Sequence, residues 1–293
     1  MTSSALRREL RSMLRPGAAL LLPGVADALA ARIVADQGFP AAYVTGAGIA
    51  NTILGVPDIG LVTVTELAEQ VAAIRDAFPG PLVVDADTGF GNAVNMVRTV
   101  KLLERAGADA LQIEDQVFPK RCGHFAGKQV IPAAEMVEKV KAAVDTRRDP
   151  DLLIIARTDA IAAESYDAAL GRADAYRAAG ADVTFVEAPT SLEQIADIPR
   201  RLPWPQLINI VLGGKTPELP NDRLKELGYA GVIYANVALQ AAVKGMQAAL
   251  GELWRKGHMG DAATSMVADF SERQRLVHKD EFDALERKYV EKR

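Results

Sequence analysis

Eight short apolar runs recur along this chain, rich in β-branched residues and continuous rather than alternating in polarity. They are LLLPG near 20–24, AAYVTG at 41–46, PLVVDAD at 81–87, ALQIED at 110–115, DLLIIARTD at 151–159, VTFVEA at 183–188, QLINIV at 206–211 and GVIYAN at 231–236. A strand covered on both faces has no polar side to show, so runs of this kind mark buried parallel strands. Between them lie segments with apolar residues at helical spacing: VTELAEQVAAIRDAF, NAVNMVRTVKLLERAG, AAEMVEKVKAAVD, SYDAALGRADAYRAAG and NDRLKELG. Several stop at glycine, as in ERAGAD and RAAGAD, where a helix end favours a left-handed residue. Eight strand–helix units predict a (β/α)8 TIM-type barrel. A doubly wound sheet would not readily use eight such units and would usually show a phosphate-binding turn early.

The pattern changes after about residue 237. ALQAAVKGMQAALGELWRKG and SERQRLVHKDEFDALERKYVEKR read as helices with no strand signal. The chain is therefore expected to be one barrel domain over 1–293, with 237–293 a helical extension that packs on its own barrel or reaches a neighbouring subunit. Leu276, Phe282 and Leu285 argue against a solvated tail and for a homo-oligomer.

An apolar fraction of 49% with 25% charged residues suits a globular protein with a sizeable core. The net charge of −4 is interspersed, so neither nucleic acid nor an anionic membrane is an expected partner. The longest apolar stretches are broken by Pro, Gly or Asp before they reach a bilayer's thickness. MTSSALRRELRSMLRPG lacks the apolar centre and small-residue cleavage site of a secretory signal. One cysteine excludes an internal disulfide framework, and the expected compartment is the cytoplasm. Two look-alike motifs fail: Gly46–Asn51 lacks the third glycine of a dinucleotide fingerprint, and Gly214-Lys215-Thr216 lacks the opening glycine of a phosphate loop.

In a barrel of this class the active site lies at the C-terminal ends of the strands. Nearly every predicted strand carries a polar residue there: Thr45, Asp85 and Asp87, Glu114 and Asp115, Arg157 and Asp159, Glu187, Asn209. Side chains alternate across a strand, so Asp85 with Asp87, Gln112 with Glu114 and Arg157 with Asp159 are expected to point the same way. Two adjacent carboxylates repel unless a cation lies between them, and hard oxygen donors without clustered His or Cys suggest Mg²⁺ or Mn²⁺. The alternative for Asp85 and Asp87 is capping of the helix that begins near Asn92. Arg157, flanked by Ile154, Ile155 and Ala156, is expensive to bury alone. It holds a substrate carboxylate, or an ion pair with Glu187 or Asp159, or both. Thr45-Gly46-Ala47-Gly48 offers either backbone amides for a carboxylate or a tight turn.

Lys120-Arg121-Cys122-Gly123-His124 holds the single cysteine between cations and one of three histidines. Positive neighbours stabilise a thiolate, which suits a proton donor or nucleophile; the alternative is a basic surface loop with an incidental cysteine.

Together these motifs resemble the isocitrate lyase and phosphoenolpyruvate mutase superfamily, in its 2-methylisocitrate lyase and 2,3-dimethylmalate lyase branch. The residues that carry the resemblance are Tyr43–Gly48, Gly55–Asp58, Val84–Gly91, Ile113–Gln116, Lys120–His124, Ala156–Asp159, Glu187 and Asn209, and it extends from about 15 to 285. The resemblance implies a (β/α)8 barrel whose C-terminal helix is swapped between subunits, usually in a tetramer. It implies Mg²⁺ positioned by Asp85 and Asp87 with Asp58 and Glu114 nearby, and cleavage of the C2–C3 bond of a 2-hydroxy dicarboxylate to an α-keto acid and a carbanion that Cys122 protonates. Thr45, Gly46, Ala47 and Arg157 are then expected on the keto-acid carboxylate, and Gly123, His124 and Asn209 on the leaving carboxylate. Glu187 belongs to the substrate-binding set, Lys120 and Arg121 favour the thiolate, and Tyr43 is a candidate base. The loop from about 117 to 129 is expected to close over the substrate.

Departures from the tricarboxylate-cleaving members narrow the substrate. Asn209 is followed by Ile210-Val211-Leu212-Gly213-Gly214-Lys215, and Gln240 stands near the last strand where methylisocitrate lyases place an arginine. A third carboxylate would lack its counter-charge. The expected activity is Mg²⁺-dependent cleavage of an alkylmalate such as 2,3-dimethylmalate. The alternatives are 2-methylisocitrate cleavage, oxaloacetate hydrolysis and, in another class, a non-catalytic dicarboxylate-binding barrel.

Overall fold

Each strand divides its side chains between two hydrophobic layers, and that division builds the molecule. The computed structural model describes residues 2–120 and 127–290. Strands β1 (Leu20–Val25), β2 (Ala42–Val44), β3 (Leu82–Asp85), β4 (Ala110–Glu114), β5 (Leu153–Thr158), β6 (Val183–Val186), β7 (Gln206–Asn209) and β8 (Gly231–Tyr234) pair in parallel and in order, β8 closing on β1. All eight expected runs are strands of this closed (β/α)8 barrel. Tyr43, Val83, Ala110, Ile155, Phe185, Leu207 and Ile233 fill its interior. Their strand neighbours Val44, Leu82, Val84, Leu111, Ile154 and Ala156 face outward, packing against helical residues such as Val71, Val100, Leu103 and Val140. This is the period-two alternation of a pleated strand, with both phases apolar because both faces are covered.

The expected helices form at Val64–Ala77, Ala93–Ala106, Ala133–Thr146, Tyr166–Ala178 and Asn221–Leu227. Gly107 and Gly180 stand at the predicted stops with φ of 104° and 106°. Asn92 caps the helix Ala93–Ala106 with its own side chain, accepting from the amides of Val94 and Asn95 at 2.9 and 3.2 Å. Asp85 and Asp87 are thereby released from the capping alternative.

Several elements went unread in the sequence, among them the helices Ala28–Asp36 and Leu192–Arg201. Ser3–Met13 is a helix, and Leu10, together with Leu14 just past its end, joins the inner cluster with Leu22, Val183 and Phe185. It is fastened by Arg7, which pairs with Glu104 and Asp149 at 3.1 and 3.0 Å. Leu6, Leu10 and Leu14 recur every four residues, the helical signal that was there to be seen.

Beyond β8 the chain runs as a 20-residue helix, Val237–Lys256, followed by helical segments that end at Lys279–Tyr289. The long helix buries none of its residues within the chain. Among the described residues no helix is long and apolar enough to cross a membrane.

Candidate active site

Continuing the inward phase by one step beyond the packed interior reaches the polar residues. Asp85 follows Val83, Gln112 follows Ala110, Glu114 follows Gln112, Arg157 follows Ile155, Glu187 follows Phe185 and Asn209 follows Leu207, each two residues on. The same alternation that packs the core therefore delivers carboxylates, an amide and a guanidinium to one end of the barrel. Asp85, Arg157, Glu187 and Asn209 line a cavity of about 30 Å³ together with Tyr43, Thr45, Ala47, Asp58, Lys120, Val211, Ala235 and Asn236.

Asp115, of opposite phase, faces away. It accepts from the hydroxyls of Thr158 and Tyr176, both at 2.7 Å, and from the Asp159 amide at 2.9 Å, bracing the barrel wall.

Asp87 arrives by a different route from the one expected. Strand β3 ends at Asp85, and Asp87 has a left-handed φ of 47°. An aspartate tolerates that conformation better than most side chains. Its amide donates to Asp85 Oδ1 at 3.1 Å. The two carboxylates converge at Gly46: a Cβ built there would lie 3.2 Å from Asp87 Oδ1 and 3.3 Å from Asp85 Oδ2. The missing side chain leaves a point that two hard anionic oxygens face.

Lys120 brings a positive charge to these carboxylates, its Nζ 2.5 Å from Asp58 and 2.8 Å from Asp87. Burial disfavours its charge, but Asp87 and Asp58 outweigh that and hold its pKa well above the usual lysine value. Lys120 is thus committed to the carboxylates expected to serve the metal, a partnership the sequence reading did not foresee. Burial pushes Asp87 up to about 6, against the pull of Lys120 and with the push of Asp85 and Asp58. Burial likewise raises Glu114 well above its ordinary value, although Arg157 opposes it.

Arg157 makes the ion pairs that were one of its sequence alternatives. Asp159 grips its Nε and one terminal nitrogen at 2.9 and 3.0 Å; that same terminal nitrogen lies 3.7 Å from Glu187, and the other lies 3.4 Å from Glu114. Its guanidinium lies 5.4 Å from the centre of the Phe185 ring. Asp159 reaches it from beyond the strand, since β5 ends at Thr158.

Tyr43 donates its hydroxyl to Gln112 at 2.8 Å, and Gln112 donates onward to Asp85 at 3.2 Å. Burial, reinforced by Asp85, raises the phenol well above its ordinary pKa. A phenol whose proton is already directed to an amide oxygen is a poor proton acceptor, so this arrangement disfavours the base role.

Thr45 caps the short helix Gly46–Ile49, accepting from the Gly48 amide at 3.2 Å. The segment is thus a helical turn, and its leading amides, Gly46 and Ala47, have no partner within it. The readings placed on Cys122, Gly123 and His124, and on Arg121, lie outside the described residues.

Three residues of the cavity, Val211, Ala235 and Asn236, escaped the sequence reading. Asn236 opens the helix Val237–Lys256 without capping it, and its Oδ1 is buried without a hydrogen-bond partner, as is Asn209 Oδ1. Val211 and Ala235 give the same side an apolar wall. Gln240 turns toward the Leu212 carbonyl at 3.5 Å and is not part of the lining.

The donor set suits a hard divalent cation. Asp85 and Asp87 present oxygens at one point, and the carboxylates Asp58, Asp85, Asp87, Glu114, Asp159 and Glu187 outnumber the cations Lys120, Lys128 and Arg157 in and just beneath the cavity. No three His, Cys, Asp or Glu side chains among the described residues form a ready-made cage. Mg²⁺ needs none, because it keeps several waters and takes one or two carboxylates.

A closed eight-stranded barrel that gathers carboxylates and a buried arginine at the C-terminal ends of its strands has the site geometry of a (β/α)8-barrel enzyme. The chain belongs to the phosphoenolpyruvate phosphomutase family, whose model matches residues 10–254, within the superfamily shared with isocitrate lyase. It is 42% identical to the 2,3-dimethylmalate lyase of Eubacterium barkeri over 99% of both chains. It is 44% identical to the 2-methylisocitrate lyase of Aeropyrum pernix, over 86% of this chain and 81% of that one. Among solved structures, a 2,3-dimethylmalate lyase superposes with a TM-score of 0.91 at 35% identity, covering 99% of this chain and 96% of the other. An oxaloacetate acetylhydrolase bound to 3,3-difluorooxalacetate superposes with 0.89 at 33%, covering 97% and 96%. The resemblance read from the motifs is borne out, and the chain is a carbon–carbon lyase of this superfamily.

Proposed function

We propose that this lyase cleaves the C2–C3 bond of a 2-hydroxy dicarboxylate of alkylmalate size, such as 2,3-dimethylmalate, releasing an α-keto acid and a short carboxylic acid. The observation that carries the reading is the convergence of Asp85 and Asp87 on the space left open at Gly46, with Arg157 on the same cavity.

The reaction needs negative charge stabilised twice, on the 2-hydroxyl oxygen as the bond breaks and on the fragment that keeps the bonding electrons. A divalent cation held by Asp85 and Asp87, with Asp58 and Glu114 nearby, would acidify the 2-hydroxyl and offset the first charge. Arg157, aimed by Asp159, orients the carboxylate of the incipient keto acid, joined by Thr45 and the Gly46 and Ala47 amides. Glu187 and Asn209 border the same cavity; Asn209 takes the leaving carboxylate, and the parts given to Gly123 and His124 rest on the sequence alone. Cys122 protonates the carbanion, a role that rests on the sequence alone. The leaving fragment meets Val211, Ala235 and Asn236, with no cation among them. An alkyl group fits that wall, whereas a third carboxylate would be desolvated without a counter-charge.

Mn²⁺ offers the same oxygen chemistry as Mg²⁺. Copies of the chain associate through the long C-terminal helix, with helix exchange within a tetramer as the arrangement. Val243, Met246, Leu250 and Trp254 are exposed on that helix, and a groove of about 440 Å³ opens between it and Leu29, Ala30 and Ile33. A cytoplasmic location accords with the single cysteine.

The test is release of 2-oxo acid from a panel of alkylmalates, 2-methylisocitrate and oxaloacetate in Mg²⁺. Turnover of an alkylmalate above the tricarboxylate is expected, with Cys122→Ser abolishing it while ligand-induced thermal stabilisation persists. Preference for oxaloacetate would move the assignment to hydrolysis. Binding throughout the panel without turnover would leave a dicarboxylate-binding barrel instead.

A further inference from the structure

We propose that Lys128 is a positioning residue for Arg157, acting through Asp159. The proposal rests on the reading of Arg157 as the holder of a substrate carboxylate.

Lys128 does not line the cavity. Its Nζ lies 2.5 Å from Asp159 Oδ1, with the two side chains 1% and 0% exposed. Taking an ammonium and a carboxylate out of water costs several kcal/mol per ion, offset only where geometry and hydrogen bonding are good. Here they are, because Asp159 accepts three charge-assisted bonds. Oδ1 accepts from Lys128 and from a terminal nitrogen of Arg157, and Oδ2 accepts from Arg157 Nε. The aspartate's own backbone is fixed, its amide donating to Asp115 at 2.9 Å.

Two consequences follow for the arginine. Its Nε edge is clamped in plane by a bidentate partner, which fixes one terminal nitrogen 3.7 Å from Glu187 at the cavity and leaves the other 3.4 Å from Glu114. Charge is the second consequence. Asp159 with Arg157 alone would be a neutral pair, whereas Asp159 shared with Lys128 leaves the trio with one net positive charge. That added charge offsets part of the negative charge that Glu114 and Glu187 place against the guanidinium, and so lowers the repulsion an entering carboxylate meets. The segment carrying Lys128 is itself held to the end of β4, by the Gln116–Val130 bridge and by the Val117 amide donating to the Gln129 carbonyl at 2.9 Å.

The test compares the full-length protein with Lys128→Met and Lys128→Arg, alone and in an Arg157→Lys background, in Mg²⁺ with the panel substrate turned over fastest. Lys128→Met should lower kcat/KM about 10- to 100-fold, mainly through KM, as expected when a carboxylate holder is misplaced. Lys128→Arg should recover most of it, and Lys128→Met should add little once Arg157 is changed. Should Lys128→Met not accumulate as folded protein, Lys128→Gln, neutral but still a donor, carries the same comparison. A lowered Tm with KM and kcat unchanged, or an equal loss in both backgrounds, would overturn the proposal. Oxalate affinity in Mg²⁺ by calorimetry makes the same comparison without turnover. A wild type that binds oxalate but cleaves nothing sinks the lyase reading alone, and an active wild type indifferent to Lys128→Met sinks this one alone.

Discussion

A methyl group at position 46 is enough to test the cation cradle. In Gly46→Ala the new Cβ would stand 3.2 and 3.3 Å from the Asp87 and Asp85 oxygens, in the space where a cation has to sit. Mg²⁺ affinity by calorimetry should fall about tenfold or more, a loss of at least ~1.4 kcal/mol, with the metal-free Tm nearly unchanged. Unchanged affinity would remove Asp85 and Asp87 from the metal assignment. The same carboxylates set a pH dependence. Asp87 is pushed up to about 6 by burial, so protons compete with the cation below that value and Mg²⁺ affinity should be flat above about pH 6 and decline beneath it. The sign for the metal-free fold is opposite. A carboxyl whose folded pKa is raised contributes stability below its unfolded value near 3.8, and that contribution is lost as pH rises through about 6. Stabilisation by Mg²⁺ should therefore be largest above pH 6. At this scale the sequence was most legible wherever strand alternation applied: Asp85, Glu114, Arg157, Glu187 and Asn209 follow from the phase of the core. Asp87, Asp159 and Asn236 lie past the strand ends, where a left-handed residue or a helix start decides direction and alternation no longer informs.

Among the elements, the N-terminal helix Ser3–Met13 carries a prediction of its own. Leu10 is fully buried among barrel-interior side chains. Leu10→Ala should cost about 2–5 kcal/mol by denaturant titration, the transfer loss plus the cavity left behind. A change below ~1 kcal/mol would mean that the helix is not part of the core. The eight strands were legible because each is a short apolar run bounded by turn signals and doubly buried. The helix was not, because its basic residues mask the leucine spacing. Arg7 is one of those residues, and its charge is absorbed by Glu104 and Asp149, which lie about a hundred positions or more away in the sequence.

For the whole molecule, the exposed stripe on Val237–Lys256 predicts association. Trp254 is 92% exposed and Leu250 63%, and an exposed apolar stripe of this kind usually marks an interaction surface. Light scattering should give a multiple of the 31.3 kDa chain mass, and Met246→Glu with Leu250→Glu should shift it toward the monomer. A monomeric wild type at micromolar concentration would end the oligomer reading. What the sequence determined by itself was the architecture and the chemical class, because hydrophobic period and helix stops are local signals and the active-site motifs are short contiguous strings. What only the tertiary structure decided was partnership: Lys120 with Asp58 and Asp87, Asp159 between Lys128 and Arg157, and Tyr43 donating to Gln112. Burial raises the cost of any unpaired charge, so the pairs that form depend on which groups the closed barrel brings within 3 to 4 Å of one another, and linear order carries no record of that.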